Sequence, residues 1–358
     1  MTLALSLRRS RREFARPVRN ARSEWQIREA VIITLESNNS SFGRGEVSPL
    51  PGFSPDSLEA CEHALSKLNL DQIQEKLATP ASLAAELSRA SARLPSELPA
   101  ARAGLEAALL ELWSQAAKLP AWALLRSDSA LAGTRRVAAL LSGEPEQWLA
   151  EAAHAAERGV TTFKLKVGRP GGIERELLGV SRLRAEFGSR VALRLDANRS
   201  WSPREANAYL PRFVEHAPEF IEEPCSLGGF AELTPSAVPL ALDESLSEPA
   251  CALGGVNALV ARGVAVFVLK PTLLGGVSPC IAWAKSAREA GAEAILSHTF
   301  DGPLGLALSA SLALAIGSER MAHGLDLAGA QLSAESVPCF SGPELRAWTS
   351  PGFGKLQL

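Results

Sequence analysis

Cysteine and histidine are scarce in this chain, and neither is arranged for a disulfide framework or a metal site. The five cysteines are dispersed at Cys61, Cys225, Cys251, Cys280 and Cys339. An odd set without paired spacing suits a reducing compartment, so we expect small core residues in a cytoplasmic protein. The five histidines include no His-x-x-x-His pair, and a zinc site of the usual kind therefore has no support.

Strong net charge and long apolar runs are also missing. Lysine and arginine number 37 against 39 aspartate and glutamate, a net charge of −2 that offers no electrostatic case for nucleic acid or an anionic membrane. Nowhere do about 18 apolar residues follow one another without a charge, which argues against a membrane span. Seven arginines between Arg8 and Arg22 could be read as a targeting segment or a nucleic-acid arm. No long apolar stretch accompanies them, so we expect a solvated strand edge or loop.

The length of 358 residues fits about two domains, one of which could be a barrel of roughly 250 residues. Near the N-terminus, the run from Glu29 to Glu36 reads as a strand, and the glycines and prolines of segment 42–54 predict irregular structure. An amphipathic helix is predicted by the spacing of Leu105, Ala108, Leu109, Leu112 and Trp113. The first hundred residues thus indicate an α+β region.

Short apolar strands alternate with helical segments from about Val137 onward. The predicted strands are 137–141, 162–166, 192–196, 219–222, 240–243, 265–270 and 293–297, with a weaker eighth near 320–324. The helix candidates between them include 173–187, 203–214, 278–290 and 304–316. This alternation predicts parallel βα units, and eight such units imply a closed barrel.

Polar residues fall at or near the carboxyl ends of these predicted strands. They are Lys166, Asp196, Glu222, Asp243, Lys270 and Ser297, separated by 30, 26, 21, 27 and 27 residues. Each interval is one βα unit, and the strand ends of a (β/α)8 barrel converge on the mouth that carries the active site. Side-chain alternation supports this arrangement, because outward Phe163 and Leu165 would turn Lys164 and Lys166 into the barrel.

Three carboxylates and three lysines at one barrel mouth are costly to bury without compensation. Oxygen-only ligands favour a hard cation, so Asp196, Glu222 and Asp243 are the candidate ligands of Mg²⁺, with Mn²⁺ possible. A purely structural cluster of salt bridges is the alternative. Placement on consecutive strand ends argues against it.

The lysines are candidates for proton transfer. An ordinary lysine pKa of about 10.4 is too high for a base at neutral pH, but Lys164, Lys166 and a nearby metal would push one another toward the neutral amine. We assign Lys166 as the base because it lies nearer the mouth. Lys270, across the cavity, could stabilise the negative charge that develops as the proton leaves.

Five motifs resemble, in order and spacing, the signature set of the muconate-lactonizing subgroup of the enolase superfamily. They are Lys164-Leu-Lys166, Asp196-Ala-Asn198, Glu222-Glu-Pro224, Asp243-Glu-Ser245 and Lys270-Pro271. Residues 43–54, Gly-Arg-Gly-Glu-Val-Ser-Pro-Leu-Pro-Gly-Phe-Ser, resemble the capping loop of o-succinylbenzoate synthases. The resemblance implies a modified TIM (β/α) barrel over 106–329. It also implies an α+β capping domain over 1–105, completed by residues from about 330 to 358.

The same resemblance implies a reaction and a set of residues for it. The o-succinylbenzoate synthases, which the chain resembles, dehydrate 2-succinyl-6-hydroxy-2,4-cyclohexadiene-1-carboxylate in a syn sense to o-succinylbenzoate, which feeds menaquinone or phylloquinone synthesis. Asp196, Glu222 and Asp243 match the metal ligands, and Lys270 matches the lysine opposite the Lys164–Lys166 pair. Lys166 would take the α-proton and then protonate the departing hydroxyl.

Several residues are expected around a small-molecule carboxylate substrate. Segment 297–306 resembles the seventh-strand loop that holds the succinyl carboxylate, and backbone N–H groups that open the next helix suit an anion. The expected substrate contacts are Asn198, Ser297, Thr299, Gly302, Leu304 and Pro51. Glu223 and Glu244 are expected behind the metal ligands. The seventh-strand loop of the family is usually richer in serine, and His298 replaces part of that serine content here. A ligand-facing role and a structural role are equally expected for His298.

Other reactions remain open at this point. N-succinylamino acid racemases use the same lysines and metal, and sequence motifs separate the two poorly. A Schiff-base aldolase could use Lys270 as its nucleophile, but the carboxylates of Asp196, Glu222 and Asp243 would then have no role in the reaction. A dipeptide epimerase is less favoured because no Asp-x-Asp motif stands on the predicted eighth strand. A barrel that only binds or supports is disfavoured because every charged position is present.

Overall fold

The computed structural model describes residues 3–19, 24–37, 41–71, 73, 82–126, 133–248, 255–333, 335–337 and 339–357. The strands are β1 (Ala4–Arg19), β2 (Glu24–Glu36), β3 (Phe42–Val47), β4 (Arg135–Arg136), β5 (Ala139–Leu141), β6 (Thr162–Lys166), β7 (Ala192–Asp196), β8 (Phe220–Glu222), β9 (Leu240–Leu242), β10 (Val264–Leu269), β11 (Glu293–Leu296), β12 (Phe340–Ser341) and β13 (Glu344–Leu345). The α-helices are α1 (Leu58–Ser66), α2 (Leu83–Ser91), α3 (Pro99–Ala117), α4 (Ala121–Leu124), α5 (Trp148–Glu157), α6 (Ile173–Phe187), α7 (Pro203–Tyr209), α8 (Val256–Ala261), α9 (Pro271–Leu274), α10 (Val277–Glu289), α11 (Pro303–Ala315) and α12 (Leu327–Ala330).

An antiparallel sheet of order β1-β2-β3 lies at the N-terminus. The strand predicted over 29–36 extends back to Glu24, where it pairs with the long β1. The arginine-rich β1 lies at the edge of this sheet and leaves Arg8 and Arg11 exposed. This agrees with the expected solvated strand edge, and Arg22 lies outside the described residues.

Residues 42–47 form a strand, which corrects the prediction of irregular structure there. β3 pairs along its whole length with the end of β2. A Cβ on Gly43 would come within 2.0 Å of the Ala108 carbonyl oxygen, and one on Gly45 within 1.9 Å of the Gly104 carbonyl oxygen. These glycines therefore allow β3 to approach the backbone of α3 closely, and they do not form a turn.

Gly45→Ala is expected to destabilise the protein by about 2 kcal/mol or more, since the added methyl overlaps backbone that cannot easily move. Unfolding in urea should show a lower midpoint than for the parent chain. Gly228→Ala is the matched control, because a Cβ there meets nothing within 4 Å. The control should stay within about 0.5 kcal/mol. Equal midpoints for both variants would contradict the close strand–helix contact.

Helix α3 is buried around most of its circumference, in contrast to the single apolar face that was predicted. It lies between β3 on one side and α9 and α10 on the other. Its two buried glutamates are both bonded: Glu106 accepts from the Ser278 backbone N–H at 2.8 Å, and Glu111 from the Arg44 backbone N–H at 2.6 Å. The predicted domain boundary at 105–106 falls inside this helix, and the division into two domains stays a prediction.

Seven parallel strands form the second sheet, in the order β11-β10-β9-β8-β7-β6-β5. The eighth strand expected near 320–324 is reduced to two bridges, Gly324 with Ser297 and His323 with Val137. Since these bridges join the two edges, the sheet curls into a modified (β/α) barrel. The predicted fold class, a barrel with a separate α+β region, is confirmed.

The helices around the barrel begin and end close to the predicted positions. α6 has the predicted bounds, and α10 and α11 each start and end one residue earlier than predicted. The helix predicted over 203–214 becomes a 3₁₀ helix after Tyr209, since Pro211 has no N–H with which to continue an α-helix.

The described cysteines, Cys61, Cys225, Cys280 and Cys339, are buried free thiols, as expected of core residues. Cys251 lies outside the described residues. Among the described helices, none has both the length and the apolar composition required to cross a bilayer.

Candidate active site

The polar residues of the barrel strands lie side by side at the carboxyl end of the sheet. Lys166 is the Cα partner of Asp196, and Asp196 is that of Glu222, on three neighbouring strands. Asp243 and Lys270 directly follow the next two strands, β9 and β10. The parallel register therefore brings together residues that are more than a hundred positions apart in the sequence.

Each carboxylate of this group contacts a lysine. Lys164 Nζ lies 2.7 Å from Asp196 Oδ2 and 2.7 Å from Glu222 Oε1. Lys166 Nζ lies 2.6 Å from the same Asp196 oxygen and donates to Asn198 Oδ1 at 2.7 Å. Lys270 Nζ pairs with Asp243 Oδ2. The result is a mostly buried cluster of alternating charge, in which the Lys270–Asp243 pair lies near the group formed by Lys164, Lys166, Asp196 and Glu222.

The cluster shifts the pKa values of its members strongly. Burial, followed by the charge of Asp196, raises the pKa of Glu222 to about 8. Burial also raises the pKa of Asp243 to about 6, against the opposing effect of Lys270. For Lys164, burial opposes the charge, but Asp196 and Glu222 raise its pKa above the ordinary value. These carboxylates therefore favour the ammonium form of Lys164. The predicted drift toward a neutral amine, which depends on the charge of a bound metal, stays a prediction.

Glu223 supports the cluster from behind. Its Oε1 accepts from the backbone N–H groups of Asp243 at 2.7 Å and Ser245 at 2.8 Å, and its Oε2 accepts from Arg199 Nε at 3.0 Å. Glu223 is held in the left-handed region, with φ at 44°. The structure therefore places it where the sequence expected it, under the loop that carries Asp243 and away from the cavity.

Asn198 and Glu244 connect two strand ends. The Asn198 backbone N–H donates to Asp196 Oδ1 at 3.0 Å, and its side-chain Nδ2 donates to Glu244 Oε1 at 3.0 Å. Asn198 also lines the cavity. It can thus orient both Asp196 and Lys166, as well as contact a bound molecule.

A cavity opens above this cluster, between the barrel and the N-terminal region. Its lining residues include Lys164, Lys166, Asn198, Glu222, Lys270, Ser297, His298 and Thr299. The predicted lysines and one predicted metal ligand therefore face a common space. Apolar walls are formed by Trp25, Leu50 and Phe53 from the N-terminal region and by Phe300 from the barrel. Sequence analysis did not name these four residues as cavity walls, although Leu50 and Phe53 lie in the segment that resembles a capping loop and Phe300 lies in segment 297–306. No motif marked Trp25.

Arg194, on the cavity floor, was also missed. Its side chain is 1% exposed, its Nε donates to Glu219 Oε2 at 2.6 Å, and its Nη2 is buried without a hydrogen-bond partner. The alternation of side chains along β7 indicates this position, because Arg194 lies two residues before Asp196 and therefore points to the same side of the strand. Because Arg194 lines the cavity, its positive charge suits an anionic group of a ligand.

The seventh-strand loop differs from the expected anion site. The Gly302 backbone N–H donates to Glu46 Oε1 at 2.5 Å, so this carboxylate already occupies the start of α11. The Thr299 hydroxyl donates to Asp301 Oδ1 at 2.8 Å, and the Ser297 hydroxyl to the Gly324 carbonyl at 3.1 Å. Ser297 and Thr299 line the cavity, but their polar hydrogens bond within the protein.

Two further predicted contacts lie apart from the cavity lining. Leu304 is fully buried in α11, where it packs in the core. Pro51 is exposed, and its carbonyl accepts from Trp25 Nε1 at 2.8 Å. Its neighbours Leu50 and Phe53 provide the wall, because the turn at 50–54 points those two side chains inward.

His298 lines the cavity as a neutral ring. Burial lowers the pKa of His298 to about 4. Nδ1 accepts from the Phe300 backbone N–H at 2.9 Å, and the ring also bonds to the Asp326 backbone. Both nitrogens are therefore used within the protein, which favours the structural role for His298.

A second buried histidine makes stability depend on pH. Burial lowers the pKa of His323 to about 3, while Nδ1 accepts from the Leu296 backbone N–H at 2.9 Å. Between pH 6.5 and about 3, the imidazole of His323 is protonated in the unfolded chain but stays neutral in the folded chain. The free energy of unfolding therefore falls as the pH is lowered through this range, by up to about 1.4 kcal/mol per pH unit.

His323→Asn should remove this dependence, since the amide oxygen can still accept from Leu296 but does not titrate. The free energy of unfolding in urea is measured at pH 7, 6 and 5 for both proteins, so that other groups cancel in the difference. The parent chain should lose more stability than the variant as pH falls. Parallel curves would show that His323 is not excluded from protonation in the fold.

The donor set fits a hard divalent cation. Asp243 Oδ1 and Glu244 Oε2 are buried acceptors without hydrogen-bond partners, and a cation can satisfy such oxygens. Among the residues that the structure describes, no three acidic, histidine or cysteine side chains form a ready-made metal group. Lysine ammonium groups contact the carboxylates of Asp196, Glu222 and Asp243. A metal ion would therefore compete with these ammonium groups for the same oxygens.

Comparisons with known proteins agree with this architecture. Residues 147–355 match the family model described as enolase C-terminal domain-like. The chain is 31% identical over 296 residues to an o-succinylbenzoate synthase of Aliivibrio fischeri strain MJ11, covering 80% of this chain and 79% of that protein. It is 28% identical over 308 residues to the L-Ala-D/L-Glu epimerase of Bacillus subtilis, covering 83% of this chain and 81% of the epimerase.

Among solved structures, a dipeptide epimerase from Methylococcus capsulatus, complexed with Mg and the dipeptide L-Arg-D-Lys, superposes with a TM-score of 0.82. The two chains are 26% identical, and each is covered completely. Both the N-terminal α+β region and the barrel of this chain therefore have counterparts in that protein.

Proposed function

The chain belongs to the enolase superfamily, and from that premise we propose that it is an o-succinylbenzoate synthase. The proposed reaction is the Mg²⁺-dependent syn-dehydration of 2-succinyl-6-hydroxy-2,4-cyclohexadiene-1-carboxylate. The observation that carries the proposal is that Lys166 and Lys270 line one cavity from β6 and from the end of β10, four strands apart in the sheet order. Such opposed lysines suit proton removal next to a carboxylate. The relative from Aliivibrio fischeri supports this particular substrate.

Lys166 acts as the base in this proposal. It takes the α-proton in its neutral form and, as the resulting ammonium, protonates the hydroxyl that leaves as water. Asn198, within 2.7 Å of Nζ, holds the amine in place through both transfers. Since the product ring is aromatic, loss of water is strongly favoured once the α-proton is gone.

The other groups hold and stabilise the substrate. Asp196, Glu222 and Asp243 would hold Mg²⁺ or Mn²⁺, which when bound supplies positive charge to the reacting carboxylate. Lys270 stays an ammonium and stabilises negative charge from the opposite side. Arg194 lines the cavity and supplies positive charge for an anionic group there. The apolar walls exclude water from the reacting carbon.

We also propose the location and domain organisation expected from the sequence. The dispersed free thiols support a cytoplasmic enzyme. Residues 1–105 together with about 330–358 form the capping domain, and residues 106–329 form the catalytic barrel. Residues 25, 50 and 53 supply cavity walls from the capping side, which supports this division.

The direct assay mixes the purified protein with the cyclohexadiene substrate and Mg²⁺ and follows the absorbance of the aromatic product. Rapid, saturable conversion is expected. Absence of conversion would overturn the proposed synthase activity. The epimerase relative makes racemisation or epimerisation the second candidate, so N-succinylamino acids and L-Ala-L-Glu are tested in parallel in deuterated water. Incorporation of deuterium at the α-carbon without dehydration activity would favour that candidate.

A further inference from the structure

A buried arginine connects the two sides of the cavity. Arg28, on β2, is 3% exposed and lies outside the cavity lining. Its Nη1 donates to the Pro49 carbonyl at 2.7 Å, and its Nη2 donates to the Ser48 carbonyl. These two bonds hold the start of segment 48–54, which we call the capping segment.

The same guanidinium also holds the seventh-strand loop of the barrel. Nε donates to the Phe300 carbonyl at 3.3 Å, and Nη2 lies 3.3 Å from Asp301 Oδ1. That carboxylate oxygen also accepts from the Ser48 hydroxyl at 3.0 Å. One planar group thus bonds to both the capping segment and the loop that carries Phe300.

Both partners of Arg28 carry walls of the cavity. The capping segment contributes Leu50 and Phe53, and the seventh-strand loop contributes Phe300. Within the capping segment, the Phe53 and Ser54 backbone N–H groups donate to the Leu50 carbonyl at 3.0 and 2.8 Å, so the segment behaves as one compact turn. A shift at residues 48 and 49 would therefore move the whole wall.

From this geometry we propose that Arg28 is a positioning residue that sets the separation between the capping segment and Phe300, and thereby the fit of the substrate. The identity of that substrate rests on the proposed function, whereas the coupling of the two walls does not. A lysine cannot replace Arg28 in this role, because a single ammonium lacks the planar fork that reaches acceptors on both sides.

Arg12 provides a matched control. It is another arginine of the N-terminal sheet, and it also donates to the Phe300 carbonyl, at 3.1 Å. Its remaining hydrogen bonds go to the Ala330, Gln331 and Asp301 carbonyls, and not to residues 48 and 49. Arg12→Met therefore removes a bond to the same loop but leaves the bonds between Arg28 and residues 48 and 49 in place.

The experiment compares Arg28→Met, Arg28→Lys and Arg12→Met with the parent chain. Steady-state kinetics with the cyclohexadiene substrate should show KM raised about tenfold in both Arg28 variants, with kcat changed less than about threefold, because substrate fit is lost while the lysines stay in place. Arg12→Met should keep KM within about twofold. Circular dichroism and thermal unfolding establish that each variant is folded.

Hydrogen–deuterium exchange provides a second readout that needs no substrate. The backbone amides of residues 50 and 52–54 should exchange faster in both Arg28 variants, and at the parent rate in Arg12→Met. If the parent chain does not convert the substrate, the proposed function fails but this measurement still tests the coupling. Unchanged exchange at 50–54, or a KM restored by Arg28→Lys, would overturn the positioning role.

Discussion

Lys166→Ala is expected to lower kcat by about 10²- to 10⁴-fold while the fold stays intact, since a positioned general acid–base group typically contributes about that much. The effect should lie at the upper end, because the same amine both removes the α-proton and returns a proton to the leaving hydroxyl. Side-chain loss should not unfold the protein, as Asp196 keeps its contact with Lys164. The measurement is single-turnover conversion of the cyclohexadiene, with thermal unfolding recorded beside it.

Lys285→Ala is the matched control for that experiment. Lys285 lies on α10 with its side chain 73% exposed, and its replacement should leave kcat unchanged. If Lys166→Ala keeps more than about a tenth of the parent kcat, the base is another residue. A parent chain without any activity would instead favour a barrel that serves only as a binding protein.

Removal of divalent cations should have an effect of similar size. Treatment with EDTA is expected to reduce turnover by at least about 10³-fold, and added Mg²⁺ should restore it, because charge stabilisation by a metal contributes several kcal/mol. Calorimetric titration with Mg²⁺ provides a readout besides activity. The parent chain should bind about one ion, whereas Glu222→Gln and Asp243→Asn, which replace carboxylates at the candidate site, should bind far more weakly.

The metal experiment also separates the proposed mechanism from the aldolase alternative. Activity that survives EDTA, together with a substrate adduct on Lys270 that borohydride traps, would favour Schiff-base chemistry. Glu223→Gln is an informative companion, since Glu223 holds the backbone of Asp243 and does not line the cavity. It should weaken Mg²⁺ binding less than Glu222→Gln, and the reverse order would mean that the two neighbouring glutamates had been assigned the wrong way round.

The barrel was largely predictable because its signals are local. Alternating apolar residues marked strands such as β6 and β7 with the bounds that the structure has, and the polar residue at each strand end followed from a spacing of one βα unit. The errors arose where a distant element changes the meaning of a local pattern. Gly43 and Gly45 were taken for loop residues, whereas α3 packs against them and requires their small size.

The sequence by itself determined the barrel, the order of its charged residues and the family resemblance, since strand periodicity and motif spacing are properties of short stretches of chain. Only the tertiary structure decided which groups are free to act. The Gly302 backbone N–H, which the sequence predicted as a donor to a substrate anion, donates instead to Glu46 of the N-terminal sheet. The carboxylates around Lys164 favour the charged form of that lysine. The physical reason is that hydrogen-bond partners, burial and pKa values depend on distances between segments that lie far apart in the chain.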